Sequence, residues 1–324
     1  MRAVRFDRFG DYSELKVVDV PRPGPADGEV LVKVSAAAVN AFDNTVRLGH
    51  VAQVQPPLIQ GNEGAGVVVG EGTSAFPPGT RVMLVGSYGF GRSGTWQEYV
   101  TAGPTEAVKV PDNLTDVEAA ATPVAYLAAE MALKIGCGIK PGMTILIPGV
   151  GGSVGNAAVQ LARIHGAGRV ITSAGRTEKA DRARDLGYDD VVDLSKEKLS
   201  EGVMRLTDGK GVDVALDTIG GPITGEALAS LGAGGRLVQM GYPGGTTPVI
   251  DVMNLIWKPA SIHGFNMYFQ PPEAFGEAWA TLLPLLASGR VKPAIDRTYA
   301  LAEAAEATRH LIEDRPFGKV VLTI

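Results

Sequence analysis

Chemistry is concentrated in one glycine-rich segment, Pro148-Gly-Val-Gly-Gly-Ser-Val-Gly155. It follows the apolar run Thr144-Ile-Leu-Ile147, which has the composition of a buried strand. It opens a segment that places Val154, Ala158, Leu161 and His165 on one helical face and Asn156, Gln160 and Arg163 on the other. Glycines at 151, 152 and 155 leave room where the backbone turns tightly, where a pyrophosphate touches it and where helix packs on strand. With Ser153 and Val154 they form a turn whose N–H groups, at the positive end of a helix, hold an anion. Val150 stands where the G-x-G-x-x-G fingerprint has its first glycine. The glycine count is therefore weak on its own. The setting, between strand and helix in a βαβ unit of ~30 residues, turns it into a dinucleotide-binding signal.

The strand after that helix selects the cofactor. A carboxylate at its end accepts from a free ribose 2′-hydroxyl and repels a 2′-phosphate. Here Val170-Ile-Thr-Ser-Ala-Gly-Arg176 has no acid before Glu178, whereas Ser173, Arg176 and Lys179 can donate to a phosphate. NADPH is the expected cofactor. Further contacts are expected at the carboxyl ends of the later strands, at Gly221 of Asp217-Thr-Ile-Gly-Gly221, at Met240, Gly241 and Tyr242, and at Phe265, Asn266 and Met267. For each of these, ordinary turn chemistry is the competing reading.

Positioning these residues takes two kinds of architecture. Up to about residue 122 the chain is a series of short apolar alternations, such as Val30–Val34, Gly66–Val69, Arg81–Val85 and Ala107–Val110, punctuated by Pro-Gly turns, which predicts a β-rich domain. From Thr144 to Phe265 apolar runs alternate with helical segments, which predicts a parallel sheet covered on both faces. The tail reads as helices over Glu273–Ala287 and Leu301–Ile312 and a closing strand Lys319–Ile324, with no further strand-helix alternation, and is assigned to the first domain.

The 324 residues, 45% hydrophobic with a net charge of −5 and interspersed signs, offer no basic stripe for nucleic acid. Ala119–Ile135 is interrupted by Pro123, Glu130 and Lys134, too polar and short to span a bilayer, and Met1–Phe6 reads as a strand rather than a signal peptide. A cytoplasmic location is expected. The one cysteine, Cys137, has no disulfide partner, and the four histidines lie far apart without ligand spacing, so no metal site is expected. His165, on the apolar helix face, reads as a core residue.

An ordered series of segments carries a family resemblance over essentially the whole chain: Ala37-Ala-Val-Asn-Ala-Phe-Asp43 with Arg47-Leu-Gly49, Gly61-Asn-Glu-Gly-Ala-Gly66, Pro78-Gly-Thr-Arg-Val82, Gly94-Thr-Trp-Gln-Glu-Tyr-Val100, Pro141–Ile147, Val159-Gln-Leu-Ala162, Val212–Asp217 and Gly318-Lys-Val-Val-Leu322. The chain resembles the medium-chain dehydrogenase/reductase family, and within it the zinc-independent quinone oxidoreductases related to zeta-crystallin. The resemblance implies an α/β protein with a GroES-like β-rich catalytic domain, residues 1–122 and 268–324, around a Rossmann doubly wound NADPH-binding domain, residues 123–267, and a homodimer. It implies that Asn40 and Asn62 stand where zinc-dependent relatives have a cysteine and a histidine. It also places a nicotinamide-side contact on Asn40 and the 2′-phosphate region on Gly175, Arg176 and Lys179. Two positions depart from the pattern: Thr45, where many relatives have tyrosine, and Leu194, where they have tyrosine or histidine near the adenosine phosphate.

Without a metal, a hydride can still pass to a quinone or to the β-carbon of an enone, since both are already electrophilic. Asn40 is expected to orient the nicotinamide ribose or the acceptor oxygen, and Asp43 to fix its loop. Phe42, Tyr88, Phe90 and Tyr268 are candidates for an apolar acceptor pocket, with Tyr242 and Met267. Tyr88, Thr45 or solvent could supply the proton. The competing functions are a zinc alcohol dehydrogenase, opposed by Asn40, Asn62 and the single cysteine, and an NADPH-binding protein without turnover.

Overall fold

The computed structural model describes residues 1–324, which separate into two units: Met1–Val124 with Leu285–Ile324, and Ala125–Pro284. In chain order the first unit contributes β1 (Arg2–Phe6), β2 (Lys16–Asp19), β3 (Val30–Val39), α1 (Ala41–Arg47), β4 (Leu58–Ile59), β5 (Glu63–Val69), β6 (Arg81–Val85), β7 (Tyr99–Ala102), β8 (Ala107–Lys109) and α2 (Asp116–Ala120). After α3 (Pro123–Met131) the second unit runs β9 (Thr144–Pro148), α4 (Ser153–Ile164), β10 (Arg169–Ala174), α5 (Thr177–Asp185), β11 (Val191–Asp193), α6 (Leu199–Leu206), β12 (Val212–Asp217), α7 (Pro222–Ala229), β13 (Leu231–Gln239), α8 (Met253–Ile256) and β14 (Ser261–Gly264). Then come α9 (Pro272–Ala287), β15 (Ile295–Ala300), α10 (Ala304–Arg309) and β16 (Lys319–Thr323).

In the first unit, β3 is the spine. It pairs antiparallel with β5, β7 and β16 in a seven-stranded sheet, and β1 forms a separate three-stranded sheet with β2 and β4. The inner residues Val30, Val32 and Val34 pack with Val68, Val82 and Leu84 in one core cluster, while Ala37 and Val39 join Phe6, Trp96, Val320 and Leu322 in another. The alanines at 36–38 let neighbouring strands come close, and the Trp96 indole N–H closes this corner by donating to the Ala38 carbonyl at 3.0 Å.

The second unit's sheet is wholly parallel, in the order β11-β10-β9-β12-β13-β14. With β9 counted as the first strand, this is the 3-2-1-4-5-6 order of the doubly wound dinucleotide fold, whose order reverses between β9 and β12. Ile145, Leu146 and Ile147 are fully buried, as a central parallel strand requires. No helix is long and apolar enough to cross a membrane.

Two features differ from the sequence expectation. The second boundary falls at Pro284/Leu285 rather than near 268, because α9 packs mostly with the parallel-sheet unit, burying Ala278 and Leu282. The tail does continue strand-helix alternation: β15 and β16 are parallel, with α10 between them. β15 is an edge strand with half its residues exposed, so Ile295-Asp-Arg-Thr-Tyr-Ala300 lacks a buried strand's apolar run.

The closest β3–β5 approach yields a prediction. The pairing shifts register between Val34 and Ala36, opposite Gly66, and a Cβ at 66 would lie 2.1 Å from the Lys33 carbonyl oxygen. Gly66→Ala is expected to cost about 1–3 kcal/mol through forced backbone displacement, read as a lower urea midpoint; an unchanged midpoint would contradict this packing.

Candidate functional site

The glycine turn joins β9 to α4. Gly149, which the fingerprint count overlooked, makes the sharp bend at φ +84°, and its N–H is held by the Ser173 carbonyl and hydroxyl at 3.2 and 3.3 Å. Glycines therefore recur at 149, 152 and 155. A Cβ on Gly155 would lie 2.3 Å from the Gly149 oxygen, so the third glycine is fixed by close packing of helix on turn. Val150 does not need to be glycine, because its side chain is fully buried and the turn is made one residue earlier. Gly152 is the N-cap of α4 and has no side chain to cap it, so the N–H groups of Ser153, Val154 and Gly155 point out of the helix end with no intrahelical acceptor. Gly151 is half-buried and Gly152 exposed. This cradle fits a dinucleotide pyrophosphate.

At the end of β10, Gly175 and Arg176 are exposed, and Arg176 is the uncapped N-cap of α5. Lys179 is half-buried one turn on. Ser173 lies fully buried under the glycine turn, so its hydroxyl braces Gly149 and does not stand at the surface beside Arg176. A carboxylate that the sequence reading missed, Asp193, closes β11 beside Ala174. It accepts from the Ser195 hydroxyl at 2.6 Å, the Thr177 hydroxyl at 2.7 Å and Lys196 at 3.1 Å, and the Ser195 and Thr177 hydroxyls hold it well below the usual carboxylate range. Its lone pairs are committed to Thr177 at the start of α5 and to Ser195 and Lys196 just after β11. Leu194, where a polar contact was expected to be missing, follows it and is half-buried.

The later strand ends carry a local reason for their glycines. Asp217 accepts from the Ile219 and Gly220 N–H groups at 2.8 and 2.9 Å and from Thr224, folding the 217–221 loop. A Cβ on Gly221 would strike the Gly244 oxygen at 2.2 Å, and one on Gly241 the Thr218 oxygen at 2.0 Å. Met240 is half-buried and Tyr242 exposed; Phe265 and Met267 are buried; Asn266 is exposed and caps the next turn by accepting from the Tyr268 N–H at 2.9 Å.

The first unit holds a buried polar network around Asn40. Lys319, opening β16, is 1% exposed and places its ammonium 2.6 Å from Glu63 Oε1 and 2.5 Å from Asn40 Oδ1. Asn40 Nδ2 donates to Asn62 Oδ1 at 2.7 Å and to Glu63 Oε1 at 2.9 Å, and the second Glu63 oxygen accepts from the Val124 N–H at 2.7 Å. The Asn40 backbone N–H donates to Asp43 Oδ2 at 2.8 Å, as α1 begins. Both amide hydrogens of Asn40 are thus spent inside the protein. Gly61, at φ +100°, sets the approach to Asn62, because a Cβ there would sit 2.2 Å from the Trp96 ring.

Asp43 is almost fully buried, and desolvation, with Glu63 as a like charge, raises its carboxyl to about 7 against the opposing Asn40 N–H and Lys319. Thr45 donates its hydroxyl back to the Ala41 carbonyl of its own helix at 3.2 Å. Phe42 and Phe90 meet edge to face, ring centres 5.2 Å apart, half-buried against the Trp96 core. Tyr88 is not a pocket residue: it is fully buried, donates to the Thr101 carbonyl at 2.8 Å, and burial raises its phenol above the usual value. Its aromatic ring packs in the core cluster with Val30, Val32 and Val34, which removes it as a proton source. Tyr268 is half-buried. His165 is not simply core, since its Nε2 lies 2.7 Å from the buried carboxylate of Glu130. Burial pushes the Cys137 thiol up to about 12, far from a nucleophile's range.

Comparison with known proteins accounts for both units. Residues 26–112 match the alcohol dehydrogenase GroES-like domain and residues 153–288 the zinc-binding dehydrogenase model. The quinone oxidoreductase of Sus scrofa is 32% identical over 100% of this chain and 98% of its own. The chain belongs to the medium-chain dehydrogenase/reductase family. Among solved structures, an NAD-dependent alcohol dehydrogenase superposes with a TM-score of 0.91 at 32% identity, covering 100% of both chains. A mycobacterial protein complexed with NADPH superposes at 0.88 and 31%, again over 100% of both. As a quinone oxidoreductase-like member of this family, the protein is an oxidoreductase with a GroES-like domain and a Rossmann domain.

The donor set of this member does not fit the zinc of its metal-dependent relatives. Asn40 and Asn62, which the resemblance sets at the ligand positions, are amides bonded to each other, and the neighbouring carboxylate, Glu63, is paired with Lys319. No three His, Cys, Asp or Glu side chains cluster where they could hold a metal. Glu63 and Lys319 were not singled out as site residues from the sequence, and Asn62 only as the counterpart of a zinc ligand. The available signal was a charged residue opening each of two otherwise apolar strands, Glu63 in β5 and Lys319 in β16.

Two predictions follow from this geometry. Gly155→Ala is expected to lower both the urea midpoint and the affinity for a nicotinamide dinucleotide in a fluorescence titration, because the turn must move, whereas Gly152→Ala, whose Cβ would rest 3.4 Å from its nearest protein neighbour, is expected to keep the urea midpoint and still weaken the dinucleotide, because its methyl would stand where the pyrophosphate touches the backbone; an unchanged dinucleotide affinity in Gly152→Ala would refute the assigned roles. Because Asp43 binds its proton more tightly folded than unfolded, its contribution to stability is full below pH ~4 and is lost as pH rises to about 7. Asp43→Asn keeps an acceptor for the Asn40 N–H, and urea denaturation should show a shallower decline between pH 4 and 7; an identical pH profile would rule Asp43 out as its source.

Proposed function

We propose that the protein is an NADPH-dependent reductase that passes a hydride, without metal assistance, to a quinone or an α,β-unsaturated carbonyl. The observation that carries this reading is the buried Asn40–Asn62–Glu63–Lys319 network at the positions the resemblance gives to the metal ligands. With no Lewis acid to polarise it, the acceptor must be electrophilic in its own right, and quinones and enones are. The name of the porcine relative supports the quinone class.

The preference for NADPH is supported by the exposed Gly175–Arg176 corner and by the full commitment of Asp193, which leaves no carboxylate for a ribose 2′-hydroxyl. The titles of the structural neighbours divide, one naming NAD and another NADPH. When bound, the dinucleotide supplies the hydride. The chain's part is to seat the pyrophosphate on the Gly152–Gly155 helix start, meet the 2′-phosphate with Arg176 and Lys179, and keep Asn40 rigid. With its hydrogens used, Asn40 retains acceptor capacity on Oδ1 for a ribose hydroxyl. Proton delivery falls to solvent, since Tyr88 and Thr45 are engaged elsewhere.

A homodimer belongs to the same reading. β14 forms an unpaired outer edge of the parallel sheet, and Ile256 and Trp257, 67% and 74% exposed, precede it in the chain. A second copy pairing along this edge would cover both strands.

The test follows NADPH and NADH absorbance side by side against a panel of quinones and enones. Faster turnover with NADPH is expected, and Arg176→Ala should raise the KM for NADPH by about 10-fold, through loss of a charge-assisted bond, while leaving that for NADH unchanged. Equal rates with the two cofactors would defeat the cofactor assignment, and no turnover with any acceptor the choice of substrate class.

A further inference from the structure

The ammonium of Lys319 has three donors and no acceptor, so it dictates how the amides beside it are turned. Asn40 must face Lys319 with its oxygen. The flipped amide would set an NH2 against the ammonium and an oxygen against the Glu63 carboxylate, two repulsive contacts at 2.5 and 2.9 Å. With that orientation fixed, Asn40 Nδ2 points at Asn62, which must answer with its own oxygen, at 2.7 Å. The polarity therefore runs one way, from the cation through two amides, and it ends on Asn62 Nδ2. That atom is buried and has no hydrogen-bond partner, in a residue 1% exposed. An unmade bond of this kind costs roughly 1–3 kcal/mol, which a protein sustains where a ligand completes it. Shielding from water also makes the position effective, since a fixed donor in a dry setting stabilises developing negative charge far better than one in solvent.

We propose that Asn62 Nδ2 is the donor that receives the carbonyl oxygen of the electron acceptor, with Lys319 and Asn40 as the residues that position it. The proposal rests on the reductase reading above. In an enone the hydride, one hydrogen with two electrons, forms the new C–H bond at the β-carbon. The C=C pair shifts to form a new C=C at the carbonyl carbon, and the carbonyl pair moves onto oxygen as an enolate. The Asn62 N–H bonds that oxygen as its charge grows. A solvent proton on the α-carbon then restores the carbonyl, with the dinucleotide oxidised and the enone reduced.

The experiment compares the wild-type enzyme with Asn62→Ala and Asn62→Ser, measuring kcat and KM for an enone and, separately, the Kd of NADPH by fluorescence. Asn62→Ala should lower kcat by about 100-fold, the usual loss for one oxyanion donor, with the Kd of NADPH within twofold, and Asn62→Ser, which retains a hydroxyl donor, should recover part of the rate. In wild-type protein carrying 15N-asparagine, the Asn62 side-chain resonance, assigned by through-bond correlation to its own backbone, should move downfield when a substituted phenolate, a stable mimic of the enolate, is added to the NADP+ complex, and more so for the more basic phenolates. This second measurement decides the matter should the variants fail to fold. Undiminished kcat, a weakened Kd for NADPH at unchanged kcat, or a resonance indifferent to phenolate would each overturn the assignment. Wild-type protein with no enone or quinone turnover would instead refute the underlying reductase reading.

Discussion

The ion pair between Lys319 and Glu63 is the constraint around which the first unit is organised. Both side chains are buried, and neither charge could stay there alone: removing one partner of such a pair costs ~3–5 kcal/mol because the other is left uncompensated. The pair accepts and donates to Asn40, Asn40 holds Asn62, and the Val124 N–H completes Glu63. Through it the closing strand, the long central strand, the start of α1 and the Gly61 turn are tied to one another by charge as well as by packing. The centre gathers amides around an organic cation that cannot act as a Lewis acid.

The cofactor unit was legible in the sequence because its signals are local. A buried run, a glycine turn and an amphipathic helix lie within a span of ~30 residues, and repetition of that pattern predicts a parallel sheet without knowledge of any distant contact. The fingerprint itself was misread by one position. Counting placed the first glycine at Val150, while the backbone bends at Gly149, and only the φ angle reveals it. Ser173 similarly had the right chemistry for a phosphate and the wrong depth, being the brace under the turn.

The polar network of the first unit was less legible, for a physical reason. Its members come together from residues 40, 62, 63 and 319, and the partners Asn40 and Lys319 are 279 residues apart. No periodicity announces such a cluster. The resemblance drew attention to Asn40 and Asn62, but side-chain direction decides their chemistry, and direction depends on the unanticipated lysine. Tyr88 illustrates the opposite error. An aromatic in a loop between strands looks like a pocket wall, yet its hydroxyl has a carbonyl to bond in the core. β15 escaped notice because an edge strand need not be apolar.

The position of Lys319 on the closing strand also governs the order of assembly. Residues 125–284 form the cofactor unit from one uninterrupted stretch, which a ribosome delivers in full before β16 emerges. During synthesis Glu63 and Asn40 wait without their cation, so the first unit cannot close its polar centre until β16 arrives. The nascent chain therefore completes its parallel-sheet unit before the polar centre of its first unit, and a chain cut just before Lys319 would reproduce that half-built state.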